Sequence, residues 1–466
     1  MKHICVSVIL GSLLLMQSGC KKFLDINTDP NNPLAVKEAH LLAPVEITLA
    51  TQVVGGTTST VNSYWMQQLS MNQPSPSLES YLITPTDADN TWNYYLYANI
   101  FSNLDIMLKQ AAAAKRPQYQ AVGKTLFAYS LAITTDLWNH AIYSEGFRMP
   151  DVMQPRYDKQ EALYTTIQGM LDSALYFCDQ PLAQVAPGAE DYIYKGKMTQ
   201  WKKFIYTLKA RYYLRLSKAP GHTAAVQAEK ALEALEKGFK SNDDNARIVY
   251  AGTAQAENPW SITTRDATGG VVMAQSFIDS LVTRHDPRLS VLTIPGKDGV
   301  YRGRRVGDLP APDPKIYSRV NTFYAGAGAA LHLATYAEAL FIKAEATLIK
   351  QGATAAQPVY EAAIAAHMTM LGIPAAAQQT YIASRPVLTT ANALQQIITE
   401  KYVAGFLSPE PYNDWRRTGF PVLKAHTSGT VKGIPRRWPY PANEMLTNPQ
   451  PEQQVTINDR VWWDKE

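Results

Sequence analysis

The sequence predicts an all-α fold: a tetratricopeptide-like helical-repeat scaffold that carries an irregular, loop-rich lobe. Three observations lead there. Apolar residues recur at helical spacing through most of the chain. Small residues, alanine above all, stand where neighbouring helices would cross. Two stretches, about 240–330 and from Ser408 onward, break the helical period with Gly, Thr, Asp and Pro.

The elements follow in chain order. Lys21 to Pro33 reads KKFLDINTDPNNP, an irregular tether rich in turn formers. Residues 91–114 predict a helix with Thr91 as N-cap and an alanine run at its end, and 118–138 a second. Over 158–178, Leu163, Ile167, Leu171, Ala174 and Cys178 share one face, with Asp158 placed to cap. Over 199–217, Trp201, Phe204, Ile205, Leu208, Tyr212 and Leu216 form one stripe, and Lys202, Lys203, Lys209 and Arg211 fall mostly off it. A helix over 223–238 stops at Gly238. The stretch 240–330 holds short β-like pieces, and long irregular stretches of this kind tend to be functional loops. Helices return over 333–350, 356–371 and 391–406; in the first, Tyr336, Leu340, Ala344 and Leu348 are spaced by four. The tail, with PEPYNDWRRTGFP and IPRRWPYP, cannot stay helical for long, because each proline removes a backbone donor. It is expected to pack as an ordered irregular lobe held by its aromatics. No clean repeat consensus accompanies the paired helices.

The chain opens like an export signal. Lys2 and His3 precede an apolar run from Ile4 to Met16, shorter than the roughly 20 residues that span a bilayer. Gln17-Ser18-Gly19-Cys20 follows and resembles a lipoprotein cleavage box, with Gln17 where leucine is usual. Residues 1–19 are therefore expected to be a signal peptide, 20–33 a lipidated Cys20 with its tether, and 34–466 the folded domain. Lipid on Cys20 would hold the mature chain at a membrane surface. Of the three cysteines, Cys5 would leave with the signal and Cys20 carry lipid, so Cys178 has no disulfide partner.

Composition narrows the function. At 46% hydrophobic and 18% charged the chain is globular, and a formal charge of +4 without a dominant Lys/Arg stripe argues against nucleic acid as a partner. Tyr, at 26 residues, outnumbers Phe at 12, which suits wet binding surfaces as well as cores. No HExxH, GxSxG, P-loop or CxxC pattern occurs, and the eight histidines lack metal-ligand spacing. No motif marks a catalytic, cofactor or metal site, though a glycosidase carboxylate pair, whose test is a spatial separation, is not legible in sequence alone. The arginine pairs Arg304-Arg305, Arg416-Arg417 and Arg436-Arg437 suit either an anion clamp or ion pairs that pin loops; the second is favoured, because the guanidinium fork matches a buried carboxylate.

Several segments, taken in order, resemble one family across essentially the whole chain. They include DINTDPNNP at Asp25–Pro33, YWMQQLS at Tyr64–Ser70, TDLW at Thr135–Trp138, PRYDKQEALY at Pro155–Tyr164, WKKFIYTLKARYYLRLSK at Trp201–Lys218 and HDPRL at His285–Leu289. YRGRRVGD at Tyr301–Asp308, TYAEALFIKAEA at Thr335–Ala346, YNDWRRTGFP at Tyr412–Pro421, RRWPYPANE at Arg436–Glu444 and WWDK at Trp462–Lys465 follow. Together they resemble the SusD/RagB family of nutrient-binding outer-membrane lipoproteins of Bacteroidetes. The chain departs from the family after Trp138, where Asn139-His140 replaces the usual Gly-Asp, and at Gly196-Lys197, where Gly-Asp is common. The resemblance implies a SusD-like fold that binds oligosaccharides, or peptides, at the outer-membrane surface and delivers them to a TonB-dependent SusC-like transporter without catalysis. A helical-repeat adaptor without a small-ligand site, and a surface hydrolase, are the rival classes.

Sugars stack apolar C–H faces on aromatic rings and pair hydroxyls with amide and charged groups. Trp65, Asn72, Tyr81, Trp92, Trp260 and Arg265 are the expected ligand contacts on these grounds, with Gln68, Gln73, Asn93 and Asn258 nearby in sequence. Met66 and Leu69 leave a core-packing role open for Trp65 and Trp92. Tyr412, Trp415, Arg416 and Arg417 read as a structural cluster holding the tail.

Overall fold

The computed structural model describes residues 36–264, 270–426, 431 and 433–465. The expected signal peptide, Cys20, the tether and Arg265 lie outside the described residues.

Helix α1 (Glu38–Thr48) widens into a looser turn segment, Leu49–Val54, ahead of α2 (Thr57–Trp65) and strand β1 (Leu69–Met71). Helix α3 (Pro85–Asp89) runs on through Asn90–Phe101 into α4 (Ser102–Ala113). Thr91 does not cap this rod but is buried inside it. The start lies at Pro85, because the Thr84 N–H and hydroxyl both donate to Asp87 Oδ2 at 2.7 Å and proline suits a first helical position. Helices α5 (Pro117–Trp138) and α6 (Gln160–Cys178) stand where the periodicity puts them. Asp158 does not cap α6; its Oδ2 accepts the Tyr143 and Ser144 N–H groups at 3.0 and 2.8 Å and fixes the preceding loop instead.

Next come α7 (Met198–Arg215) and α8 (Ala224–Leu235), the latter capped by the Thr223 hydroxyl. The stretch 240–330 holds β2 (Ala246–Val249), α9 (Pro259–Thr264), β3 (Val271–Met273), α10 (Gln275–Thr283), α11 (Leu289–Leu292), β4 (Thr293–Ile294), β5 (Arg319–Val320) and α12 (Thr322–Ala325). Strand β6 (Ala330–Ala334) leads into α13 (Tyr336–Gln351) and α14 (Ala353–Met370). Helices α15 (Ala375–Ala383), α16 (Ala393–Ala404), α17 (Glu410–Thr418) and α18 (Ala442–Thr447) complete the order. The strands form antiparallel pairs β1–β3, β2–β6 and β4–β5.

The scaffold is a stack of helices. Helix α5 packs between α4 and α6, α7 between α6 and α8, and α13 against α8, α14 and α16. This sandwiching corrects the reading of α7. Lys209 and Arg211 are buried, because a helix with neighbours on several sides keeps little solvated surface. Arg211 is accommodated by a two-pronged pair with Glu338, both bonds 2.7 Å long. The tail packs as expected: Trp438, Tyr440 and Trp463 are buried, and α17 occupies one short stretch between prolines. Arg416 lies 4.2 Å from the Tyr412 ring centroid and 4.6 Å from that of Trp463, and Arg417 pairs with Glu345 in the interior. Cys178 is a free, buried thiol.

At the departure after Trp138, Asn139 takes φ +73 with ψ −76, the geometry of a tight γ-turn that ends α5. Its Oδ1 accepts the Trp462 N–H at 2.7 Å, so the replacement gains a contact to the tail.

Buried carboxylates set one pH response. Asp191 accepts from Ile193, Tyr194 and Gly196 N–H groups and from Trp201 Nε1, all at 3.0 Å or less. Glu46 is buried nearby; one oxygen accepts the Tyr192 N–H at 2.7 Å and the other has no hydrogen-bond partner among the described residues. Burial, reinforced by the Asp191 charge, pushes the Glu46 carboxyl well above the ordinary range. The folded chain therefore holds a proton on Glu46 that the unfolded chain releases sooner. The stability this confers is complete in acid and lost as pH rises through the raised value. Glu46→Gln is expected to unfold at a higher temperature than the parent under alkaline conditions, with the gap closing towards pH 4, in thermal melts across pH. A gap that widens in acid would contradict the assignment.

Candidate ligand-binding cleft

Three chain segments converge beside α10. Strand β1 pairs with β3 in the register Leu69↔Met273, Ser70↔Val272, Met71↔Val271. The pairing continues past β3, where the Ala274 N–H donates to Gln68 O at 3.1 Å. Residue 304 is laid on the same strip: its N–H donates to Met273 O at 2.8 Å, and its carbonyl accepts the Gln275 N–H at 2.9 Å. The third segment, 424–426, closes over the side. Gln67 Nε2 donates to Lys424 O at 2.6 Å, and the His426 N–H donates to the Tyr81 hydroxyl at 3.0 Å. Gly307 is required here: its φ is +88, and a Cβ on it would fall 1.9 Å from the His426 ring.

One buried ion pair locks these segments together. Arg304 and Glu79 are both wholly buried, with Nη1 donating to Glu79 Oε1 at 2.6 Å and to Ser70 Oγ at 3.1 Å. Arg304 Nη2 reaches the carbonyls of Gln73, at 3.1 Å, and Asp308. The other Glu79 oxygen accepts the Ser70 hydroxyl and the Met71 N–H, each at 2.7 Å. A single guanidinium thus fixes β1, the loop after it and the 304–308 turn.

Between the segments lies an open cleft of about 420 Å³, lined by Gln67, Ala274 to Ser276, Asp279, Arg304 to Val306 and Lys424 to His426. Its size suits part of an oligosaccharide. Among the described residues its lining offers amides, a hydroxyl, a carboxylate, cations and the His426 imidazole, and no Trp, Tyr or Phe ring.

The expected ligand residues fare differently. Trp65 and Trp92 are core residues, a correction to their expected role. Trp65 donates from Nε1 to Leu78 O at 3.0 Å and packs edge-on against Tyr412 and Trp438; Trp92 packs against Trp138, Tyr97, Tyr157 and Tyr440. Neither ring is presented to solvent, because the tail aromatics cover them. Trp260 is also buried. It borders a separate internal cavity of about 50 Å³, space for a few waters rather than a sugar ring. On that cavity's wall both ring nitrogens of His332 lack a partner among the described residues, and burial lowers its pKa to about 4, so it is neutral at pH 7.

Asn72 stands on the loop after β1, half-buried. Both ends of its amide are engaged: Nδ2 donates to Ala311 O at 3.0 Å and Oδ1 accepts the Ala311 N–H at 2.8 Å. Tyr81 is buried behind the cleft with its hydroxyl on His426. Asn72 and Tyr81 thus shape the segments around the cleft rather than line it. Gln275, Ser276, Lys424 and His426 carry no signal in the sequence that marks them as cleft residues. Arg305 does, as half of an arginine pair. Among the described residues no cluster of His, Cys, Asp and Glu is placed to hold a metal, and no helix is long and apolar enough to cross a membrane.

The chain is thus a stacked helical scaffold with an open polar cleft among its loops. The chain matches the family model described as starch-binding, associating with outer membrane, over residues 30–441, and it belongs to this SusD-like family. No curated protein matches it in sequence. Among solved structures, a chitin-binding protein superposes with a TM-score of 0.80 at 22% identity, covering 92% of this chain and 100% of that one. A SusD/RagB family protein from Bacteroides thetaiotaomicron gives 0.76 at 22% identity over 92% and 99% of the two chains. A chitin-binding SusD homolog from Flavobacterium johnsoniae gives 0.74 at 24% identity over 92% and 98%. The fold expected from the sequence is the fold these share.

Proposed function

We propose that this protein is a lipid-anchored receptor of the outer-membrane surface. It captures oligosaccharides, with peptides as the alternative cargo, and passes them to a partner TonB-dependent SusC-like transporter without catalysing a step. Membership of the starch-binding, outer-membrane-associated family over residues 30–441 is the observation that carries this reading. Chitin binding by two structural relatives points to glycans first. The cleft beside α10 has the volume and the hydroxyl-pairing groups for such a ligand. The lipid on Cys20 supplies the anchor, and the tether sets the domain beside the transporter.

A glycan and peptide array probed with the detergent-solubilised full-length protein tests the reading. Glycan hits that return unchanged on prolonged incubation are expected. Failure to retain any glycan sinks the carbohydrate reading, and shortened products sink the non-catalytic one.

A further inference from the structure

We infer that the cleft beside α10 takes an anionic oligosaccharide, one whose sugars carry carboxylates or sulfate esters; this rests on the glycan-binding reading above. The lining itself argues for it. A neutral sugar gains much of its affinity by laying its C–H face on an aromatic ring, and among the described residues the cleft has no Trp, Tyr or Phe ring, only the His426 imidazole. What the cleft offers is charge. The Arg304 charge is consumed by Glu79, but Arg305 and Lys424 are exposed on two different walls, against Asp279 alone among the lining residues.

Arg305 is held lightly. Its partner is Asp308 at 3.3 Å, with the arginine side chain 75% and the aspartate 48% exposed. A pair so solvated contributes little, so a ligand carboxylate or sulfate can displace Asp308 at small cost and accept the guanidinium fork in two bonds. Lys424 makes no ion pair among the described residues and presents a compact charge from the facing segment. Helix α10 adds to the same sign. It begins at Gln275 on the cleft wall, Ala274 provides no side-chain cap, and the positive end of its dipole opens where Gln275 and Ser276 stand. Concave walls concentrate this field on whatever enters. The Gln275 side chain remains to pair with hydroxyls, while the Ser276 hydroxyl, which donates to Gln67 O at 3.3 Å, and Asp279 can accept from them.

The test compares oligosaccharides of matched length by titration calorimetry on the detergent-solubilised full-length protein. Oligogalacturonate carries the carboxylates, a sulfated galactan oligosaccharide the sulfates, and maltoheptaose and chitohexaose neither. At least one acidic series is expected to bind about tenfold more tightly than the neutral ones, as charge-assisted hydrogen bonds predict. That margin should shrink as sodium chloride rises. Arg305→Ala combined with Lys424→Ala is expected to erase it; both side chains are exposed, so the fold should be untouched. The carboxylate and sulfate arms distinguish the two sources of charge. Neutral glycans bound as well as acidic ones, or a double variant that keeps the acidic preference, overturns this inference and leaves the glycan reading standing. No glycan bound at all, including the case in which only an acidic peptide binds, overturns both.

Discussion

Glu79→Ala is expected to lower the unfolding free energy by about 3–5 kcal/mol, because it strands a buried guanidinium with no counter-charge. The same change removes the acceptor for the Ser70 hydroxyl and the Met71 N–H, so β1 loses its anchor together with the loop after it. Ligand retention should then fall beyond what partial unfolding explains, since Arg304 also holds the 304–308 turn through the Gln73 and Asp308 carbonyls. Urea denaturation gives the stability, and titration with the best array ligand, well below the transition, gives the binding. The paired variant Glu79→Met with Arg304→Met should cost less than the two single changes added together, because it leaves no orphaned charge. A Glu79→Ala loss below about 1 kcal/mol, the scale of a solvated pair, would mean that the lock is not buried in solution.

That lock shows what the sequence can and cannot disclose. Arg304-Arg305 reads as either an anion clamp or a loop pin, and the structure divides the pair: Arg304 is the pin, and Arg305 faces the cleft. Adjacent residues in an extended segment point to opposite sides, so a choice between two roles for the dipeptide was never available. Helical periods located α5, α6, α7, α13 and α14 because each buries a continuous stripe. They did not locate α10 or α15. Helix α10 is only nine residues long and sits in a Gly- and Thr-rich stretch, and α15 is so rich in alanine that its period carries little contrast.

Aromatic residues are an ambiguous sign of ligand contacts. Trp65, Trp92 and Trp260 have the chemistry of sugar platforms, and so do the residues of any aromatic core. What decides between the roles is whether another segment covers the ring. For Trp65 the covering residues, Tyr412 and Trp438, lie more than 300 positions away. Local pattern holds no trace of such a contact. The cleft residues Gln275, Ser276 and Lys424 pose the converse problem: common surface types gain meaning only from the segments that face them.

The long-range cover on the core also fixes where the tail docks. A helix ends with carbonyls that lack intrahelical donors, and its C-terminal end carries partial negative charge. At the end of α5 the tail and α17 supply the donors. Arg416 Nη1 donates to Asp136 O at 2.6 Å, the Trp438 N–H to Leu137 O at 2.9 Å, and Arg437 Nη2 and the Tyr440 hydroxyl to Trp138 O. The Asp136 side chain completes the joint. Its Oδ1 accepts Trp463 Nε1 at 2.8 Å and the Tyr164 hydroxyl at 2.5 Å, and its Oδ2 accepts Arg215 Nη1 at 2.5 Å. Asp136→Ala leaves three buried donors without their acceptor, and a loss of about 3–5 kcal/mol is expected in denaturant unfolding. The loss should be greatest locally. Trp463 should gain solvent exposure, read as a red shift in tryptophan emission, and the tail should become the first site cut in limited proteolysis. Asp136→Asn keeps one acceptor oxygen and should fall between the parent and Asp136→Ala. If Asp136→Ala unfolds like the parent, or loses stability with the tail still protected, the tail is held by aromatic packing alone. The carbonyl ladder at the end of α5 would then be a consequence of docking rather than its cause.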